Sequence, residues 1–150
     1  MRKIEASMIC AVQHFASGGM ARDNWRSGNT EVINCFIGIR GTAGYIHTVE
    51  VYLHSNLICT IYPNSRQMNL FDAGWESVTT KSRLNALCRA FTDRSGIYQK
   101  QHKWFVDGTI HGNSDQDWEG HCMVPFSIDW NRWQLPTARK VAEQSMPAFC

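Results

Sequence analysis

Residues 45–63 read YIHTVEVYLHSNLICTIYP. The side chains alternate, with Val49, Val51 and Leu53 on one face and Thr48, Glu50, Tyr52 and His54 on the other. That period of two belongs to a half-buried β-strand. "SN" then supplies a two-residue turn into LICTIYP, so the stretch predicts an antiparallel hairpin whose register is held by its apolar face. Pro63 and the following NSR end the second strand, and QMNLF (67–71) makes a short third one. Upstream, TEVINCFIGIR (30–40) is rich in β-branched and aromatic residues and breaks at GTAG, a strand followed by a flexible turn.

Outside this meander the periodicity changes. Ile4, Met8, Ala11, Val12 and Phe15 recur at helical spacing over residues 3–16, and SGG (17–19) is the stop. Beyond the third strand, DAG leads through Trp75 into SVTTKSRLNALCRAF (77–91), where Leu84, Leu87, Cys88 and Phe91 form one apolar stripe. GIYQK and KWFVDG read as a second hairpin around QH, and 107–120 as an irregular polar loop. HCMVPFSI is a last strand and LPTARKVAEQSM a terminal helix with Pro136 near its start. The sum is an α+β fold over residues 1–150 as a single domain, with a mostly antiparallel sheet of about five strands and helices on one face.

Composition fits one domain and narrows the function classes. The 150 residues are 43% hydrophobic, enough for one sizeable core. Fifteen basic against 13 acidic residues leave a net charge of +2, so any basic footprint for a polyanion has to be local. The six cysteines are spread evenly, with no CxxC pair, and read as reduced thiols of a cytosolic protein; Cys59 and Cys88 fall at core positions. No secretory core and no membrane-length apolar run is present, which points to a soluble protein with no membrane partner.

The start of the 77–91 helix carries cations where the helix dipole favours acids. Thr79 or Thr80 can cap it, and Lys81, Ser82 and Arg83 add donors, so the turn reads as an anion or phosphate site. Against this stands the plain alternative of a capped helix with two solvated cations. A nucleic acid is a second possible anion, given the scattered arginines and lysines with Trp25, Tyr98 and Trp104 as stacking faces, although no helix-turn-helix, RNP or zinc-finger pattern occurs. His111, Asp115, Asp117, Glu119 and His121 could furnish a metal-dependent hydrolase, but their spacing matches no ligand loop and a solvated acidic loop is the simpler reading. No catalytic motif is present, and His54 reads as a strand-end side chain bonded to its turn in preference to a general base. The residues therefore point to no enzyme, no metal and no cofactor.

Four segments, SGNTEV (27–32), VEVYLHSNLICTI (49–61), DAGWESVTTKSRLNALC (72–88) and IYQKQHKWFV (97–106), resemble a set of small proteins encoded by tailed bacteriophages. In that pattern a YLH strand is followed by a GW…TTKSRLNAL helix. The resemblance implies a non-enzymatic accessory protein in the cytoplasm of an infected bacterial host. Such a protein would bind and sequester or inhibit a host component, for host takeover or anti-defence. Its partner would be a host protein or a phosphorylated small ligand. The expected surface joins the helix start at Thr79–Arg83 to Trp75 and His54. A second candidate interface is FSIDWNRWQLP, with Trp130, Arg132 and Trp133, whose composition suits a hot spot, a homo-oligomer contact, or a segment locked onto the sheet.

Overall fold

Fifteen residues of amphipathic sequence open the fold as helix α1, Lys3–Ser17, which buries Met8, Val12 and Phe15 and ends at Gly18. The computed structural model describes residues 2–18, 24–92, 94, 96–110 and 114–126. The chain then runs through β1 (Asn24–Ser27), β2 (Thr30–Gly38), β3 (Tyr45–Leu53), β4 (Asn56–Tyr62) and β5 (Gln67–Phe71). Helix α2 (Val78–Thr92) follows. Next come β6 (Ile97–Lys100), β7 (Lys103–Val106), a 3-10 turn at Gly108–Ile110, β8 (Gln116–Asp117) and β9 (His121–Pro125).

Every strand pairing among the described residues is antiparallel. The main sheet has six strands in the order β1-β2-β3-β4-β5-β9, one more than the sequence suggests, and β6-β7-β8 form a separate three-stranded sheet. β1 lies in the polar-looking stretch after α1; its Trp25 faces Val32 and is buried. The chain is thus an α+β protein.

Cross-strand rows show how the alternating pattern becomes a core. Trp25, Val32, Val51, Cys59, Leu70 and Cys122 face one another in sequence across the six strands, and beside them run Asn34, Val49, Ile61, Met68 and Val124. Both helices cover this face: α1 packs on β1–β3, α2 on β4, and the two touch each other. One hydrophobic cluster joins sheet, helices and the buried Trp104, Val106, Ile110 and Trp118 of the smaller sheet and its loop. Between Val51 and Tyr52 the register shifts, leaving Ile58 as an extra residue on β4; Ile58 and Cys59 are both buried, as a bulge allows.

The β3–β4 turn corrects the sequence reading by one position. Its two residues are His54 and Ser55, both at positive φ (51° and 65°), and Asn56 already pairs with Leu53. Positive φ at both central positions is the twist-compatible turn that two-residue hairpins prefer. Gln101 and His102 (φ 52° and 65°) repeat it in the second hairpin, where the sequence places it.

The cysteines at helix and strand positions are packing residues. Cys10, Cys59 and Cys88 are buried free thiols; burial pushes Cys59 up and Cys88 up to about 12, so neither carries thiolate at neutral pH. The described parts of the 107–120 stretch carry regular structure where the sequence suggests an irregular loop. They hold the 3-10 turn and β8, and Asp115 accepts hydrogen bonds from the Tyr98 hydroxyl (2.7 Å) and the Gly108 amide (2.8 Å). The expected terminal helix at 135–146 lies outside the described residues.

Candidate functional site

A sharp connection between β5 and α2 builds the site. Asp72 directly follows the strand, and its Oδ1 accepts the Gly74 amide at 2.8 Å while its carbonyl accepts the Trp75 amide at 3.0 Å. Ala73 and Gly74 both take positive φ (56° and 84°) to close that turn. The other carboxylate oxygen of Asp72 accepts the indole N–H of Trp118 at 2.8 Å, and its amide donates to the Gly120 carbonyl at 3.1 Å. The turn is therefore fixed from both sides, and it presents Trp75 to solvent with 70% of its surface exposed.

Helix α2 begins immediately afterwards, and its cap is Ser77, not Thr79 or Thr80. Ser77 Oγ accepts the Thr80 amide at 3.1 Å, and its carbonyl accepts the Lys81 amide at 3.0 Å. Thr80 occupies the third helical position, buried, with its hydroxyl 2.9 Å from that of Ser77. The serine lies at the end of the turn, where its backbone is still non-helical; the threonines are already inside the helix.

Between this helix start and the β3–β4 turn lies a groove of about 480 Å³. It is lined by Leu53, His54, Asn56, Ile58, Asp72, Ala73, Trp75, Ser77, Thr79 and Thr80. Leu53, Ile58 and Ala73 give an apolar floor, and hydroxyl, amide and imidazole groups form the rim. Val78, the first residue of α2, is itself 68% exposed. Four of the residues expected to act together, His54, Trp75, Thr79 and Thr80, thus share one depression.

The basic residues of the helix start go elsewhere. Arg83 is buried, 3% exposed; its Nη1 lies 2.9 Å from Glu5 Oε2 and its Nε donates to Thr30 Oγ1 at 3.2 Å. Ser82 Oγ donates to the same carboxylate oxygen at 2.5 Å, and the Arg2 amide donates to Glu5 Oε1 at 3.1 Å. Burial by itself would raise the Glu5 carboxyl, but the hydrogen bonds from Ser82, Arg2 and Arg83, with the guanidinium charge, outweigh it and hold the group below its usual range. Lys81 points to the smaller sheet, its Nζ 3.4 Å from Gln99 Oε1. An anion site built on Lys81, Ser82 and Arg83 together is thus dismantled, because two of the three serve an internal acid. Helical spacing carries the signal for this: Arg83 stands four residues before Leu87, and Glu5 three before Met8, so both charges project toward buried faces.

The Asp72 carboxylate is spent on two donors, and the His54 ring meets only the Asn29 amide, 3.5 Å away, among the described residues. No group of three or more metal-ligating side chains is gathered among the described residues, and His111 lies outside them. Trp130, Arg132 and Trp133 also lie outside the described residues. None of the described helices is long and apolar enough to cross a membrane.

No curated protein and no solved structure matches the chain. A family model described as Kyanoviridae Gp96 protein matches residues 1–126, which takes in both helices and both sheets, and the chain belongs to that family of phage proteins.

Proposed function

We propose that this phage protein acts by binding instead of turnover, and that the groove beside Trp75 is where it captures a component of the infected host cell, sequestering or inhibiting it. The single observation that carries the reading is Trp75 itself. It is a large aromatic side chain left 70% exposed over an apolar floor, on a turn that Asp72, Gly74 and Trp118 hold rigid. An exposed aromatic on a preorganised backbone loses little entropy on docking and offers a large contact area. The described lining of the groove includes Asp72 and neither lysine nor arginine, which favours a protein partner over a polyanion such as nucleic acid. A phosphorylated ligand at the start of α2 would have Lys81 as its cation, since Arg83 is paired with Glu5.

Affinity capture from infected cells with the wild-type protein, Trp75→Ala and Lys81→Ala tests the reading. Trp75→Ala abolishes capture of a stoichiometric partner while its Tm stays within about 1 °C of wild type, because the indole is mostly in water. Capture that survives Trp75→Ala and is lost in Lys81→Ala would move the site to the helix start and the ligand to an anion.

A further inference from the structure

The groove does not end at His54. On the far side of that side chain lies a second depression of about 440 Å³, lined by Arg26, Gly28, Asn29, Glu31, His54 and Ser55. The β1–β2 and β3–β4 turns form its walls and are tied together, the His54 amide donating to the Asn29 carbonyl at 2.8 Å. Arg26 and Glu31 are direct cross-strand partners, so their side chains leave the sheet on the same face. Yet the only ion pair among the described residues is the one between Glu5 and Arg83, and the side chains of Arg26 and Glu31 make no hydrogen bond to another described residue. Two opposite charges thus stand side by side without closing on each other, at the edge of a polar depression that shares a wall with an apolar one.

Building on the binding role assigned to the groove, we propose that the two depressions are one recognition site and that its ligand is an extended polypeptide segment. The segment places a large apolar side chain beside Trp75, above Ile58 and Ala73, and a main-chain amide between Arg26 and Glu31. The charges decide the class. An anion would gain the Arg26 guanidinium but meet Glu31 here and Asp72 in the first depression; a cation would gain Glu31 but meet Arg26 beside it, and both oxygens of Asp72 already accept hydrogen bonds. A peptide group presents both an acceptor for the guanidinium and a donor for the carboxylate, so it satisfies the pair without adding charge. Arg26 and Glu31 alternate with the buried Trp25 and Val32 and so leave the main sheet on the face opposite the helices; the segment therefore rounds the turn end of the sheet at His54, which lines both depressions, advancing about 3.3 Å per residue.

The test is selection of random peptides of roughly twelve residues, long enough to span both depressions, on the immobilised full-length protein. The binders are then titrated against Trp75→Ala, Arg26→Gln and Glu31→Gln. Selected peptides share a large apolar residue; Trp75→Ala weakens them about thirtyfold or more, and each charge-neutralising variant about five- to tenfold. Arg26 and Trp75 are exposed and Glu31 half-buried, so all three variants keep the wild-type melting curve. Peptides weakened by Trp75→Ala but indifferent to both neutralising variants would leave the groove as a binding site and overturn the joined site. Peptides indifferent to all three, an empty selection, or tighter binding of a labelled oligothymidylate than of any peptide would overturn both.

Discussion

At the residue scale the decisive contact is the carboxylate of Glu5. It lies within the first turn of α1, returns one oxygen to the Arg2 amide as the acidic half of a capping box, and gives the other to Ser82 and Arg83 on α2. One side chain therefore ends one helix and fastens it to the next. A buried pair of this kind contributes little relative to an apolar substitute, but removing one partner strands the other charge in the core. Glu5→Gln should cost about 3–5 kcal/mol by urea denaturation at neutral pH, whereas Glu5→Leu with Arg83→Met should recover most of that loss. The pH dependence follows from the direction of the shift. The folded carboxyl sits below its unfolded value near 4.5, so its stabilisation is complete above that pH and is lost as pH falls through the folded value. Between neutrality and pH 3 the wild type should lose stability more steeply than Glu5→Gln; parallel curves would show that the carboxylate is not ionised in the fold.

At the scale of elements, what alternation and helical spacing specify appears where expected, and what depends on a single turn residue shifts. Val49, Val51 and Leu53 sit on the buried face, and the apolar stripe of α2 is in the core, because each of these rests on many side chains agreeing. The cap and the first hairpin turn rest on one or two residues, and both moved. Thr79, Thr80 and Ser77 are all competent caps, so the backbone conformation imposed by the Asp72–Trp75 turn chose among them. His54 and Ser55 lack the glycine that marks a turn with two left-handed residues, and only the pairing of Leu53 with Asn56 locates it. Holding non-glycine residues there costs conformational energy that the ladder must offset. In the second hairpin, replacing Gln101 and His102 together by Asn and Gly should therefore stabilise the protein by about 1 kcal/mol, read as a higher urea midpoint at unchanged m-value. No gain would mean that His102 makes a compensating contact.

For the whole molecule, α+β class and the meander were legible because the local patterns were strong, but the arrangement that creates the groove was not. Nothing local in HCMVPFSI says that it crosses back to pair with β5 instead of joining the second hairpin; that choice puts Cys122 and Val124 on the buried rows and brings Trp118 to Asp72. Trp118 thereby links the smaller sheet's loop to the turn that carries Trp75. The other link is Asn85 on α2, whose Oδ1 accepts the amides of Gly96 (3.0 Å) and Ile97 (2.8 Å) while its Nδ2 donates to the Ile97 carbonyl (2.8 Å). Gly96 has to pass this close: a Cβ there would lie 2.7 Å from Cys88 Sγ and 2.6 Å from Ile110 Cδ1. If the two sheets form one cooperative unit, they do so through these links and the shared core. Asn85→Ala removes three hydrogen bonds at once and leaves two part-buried amides without their acceptor, which should cost about 2–4 kcal/mol. Hydrogen exchange locates that loss. Amides of β6 and β7 should exchange faster in the variant while those of β3 and β4 keep their relative protection, marking the smaller sheet as the part that opens first. Uniform acceleration in both sheets would instead show that they open only together, and the Trp75 turn would then be as rigid as the core on which it stands.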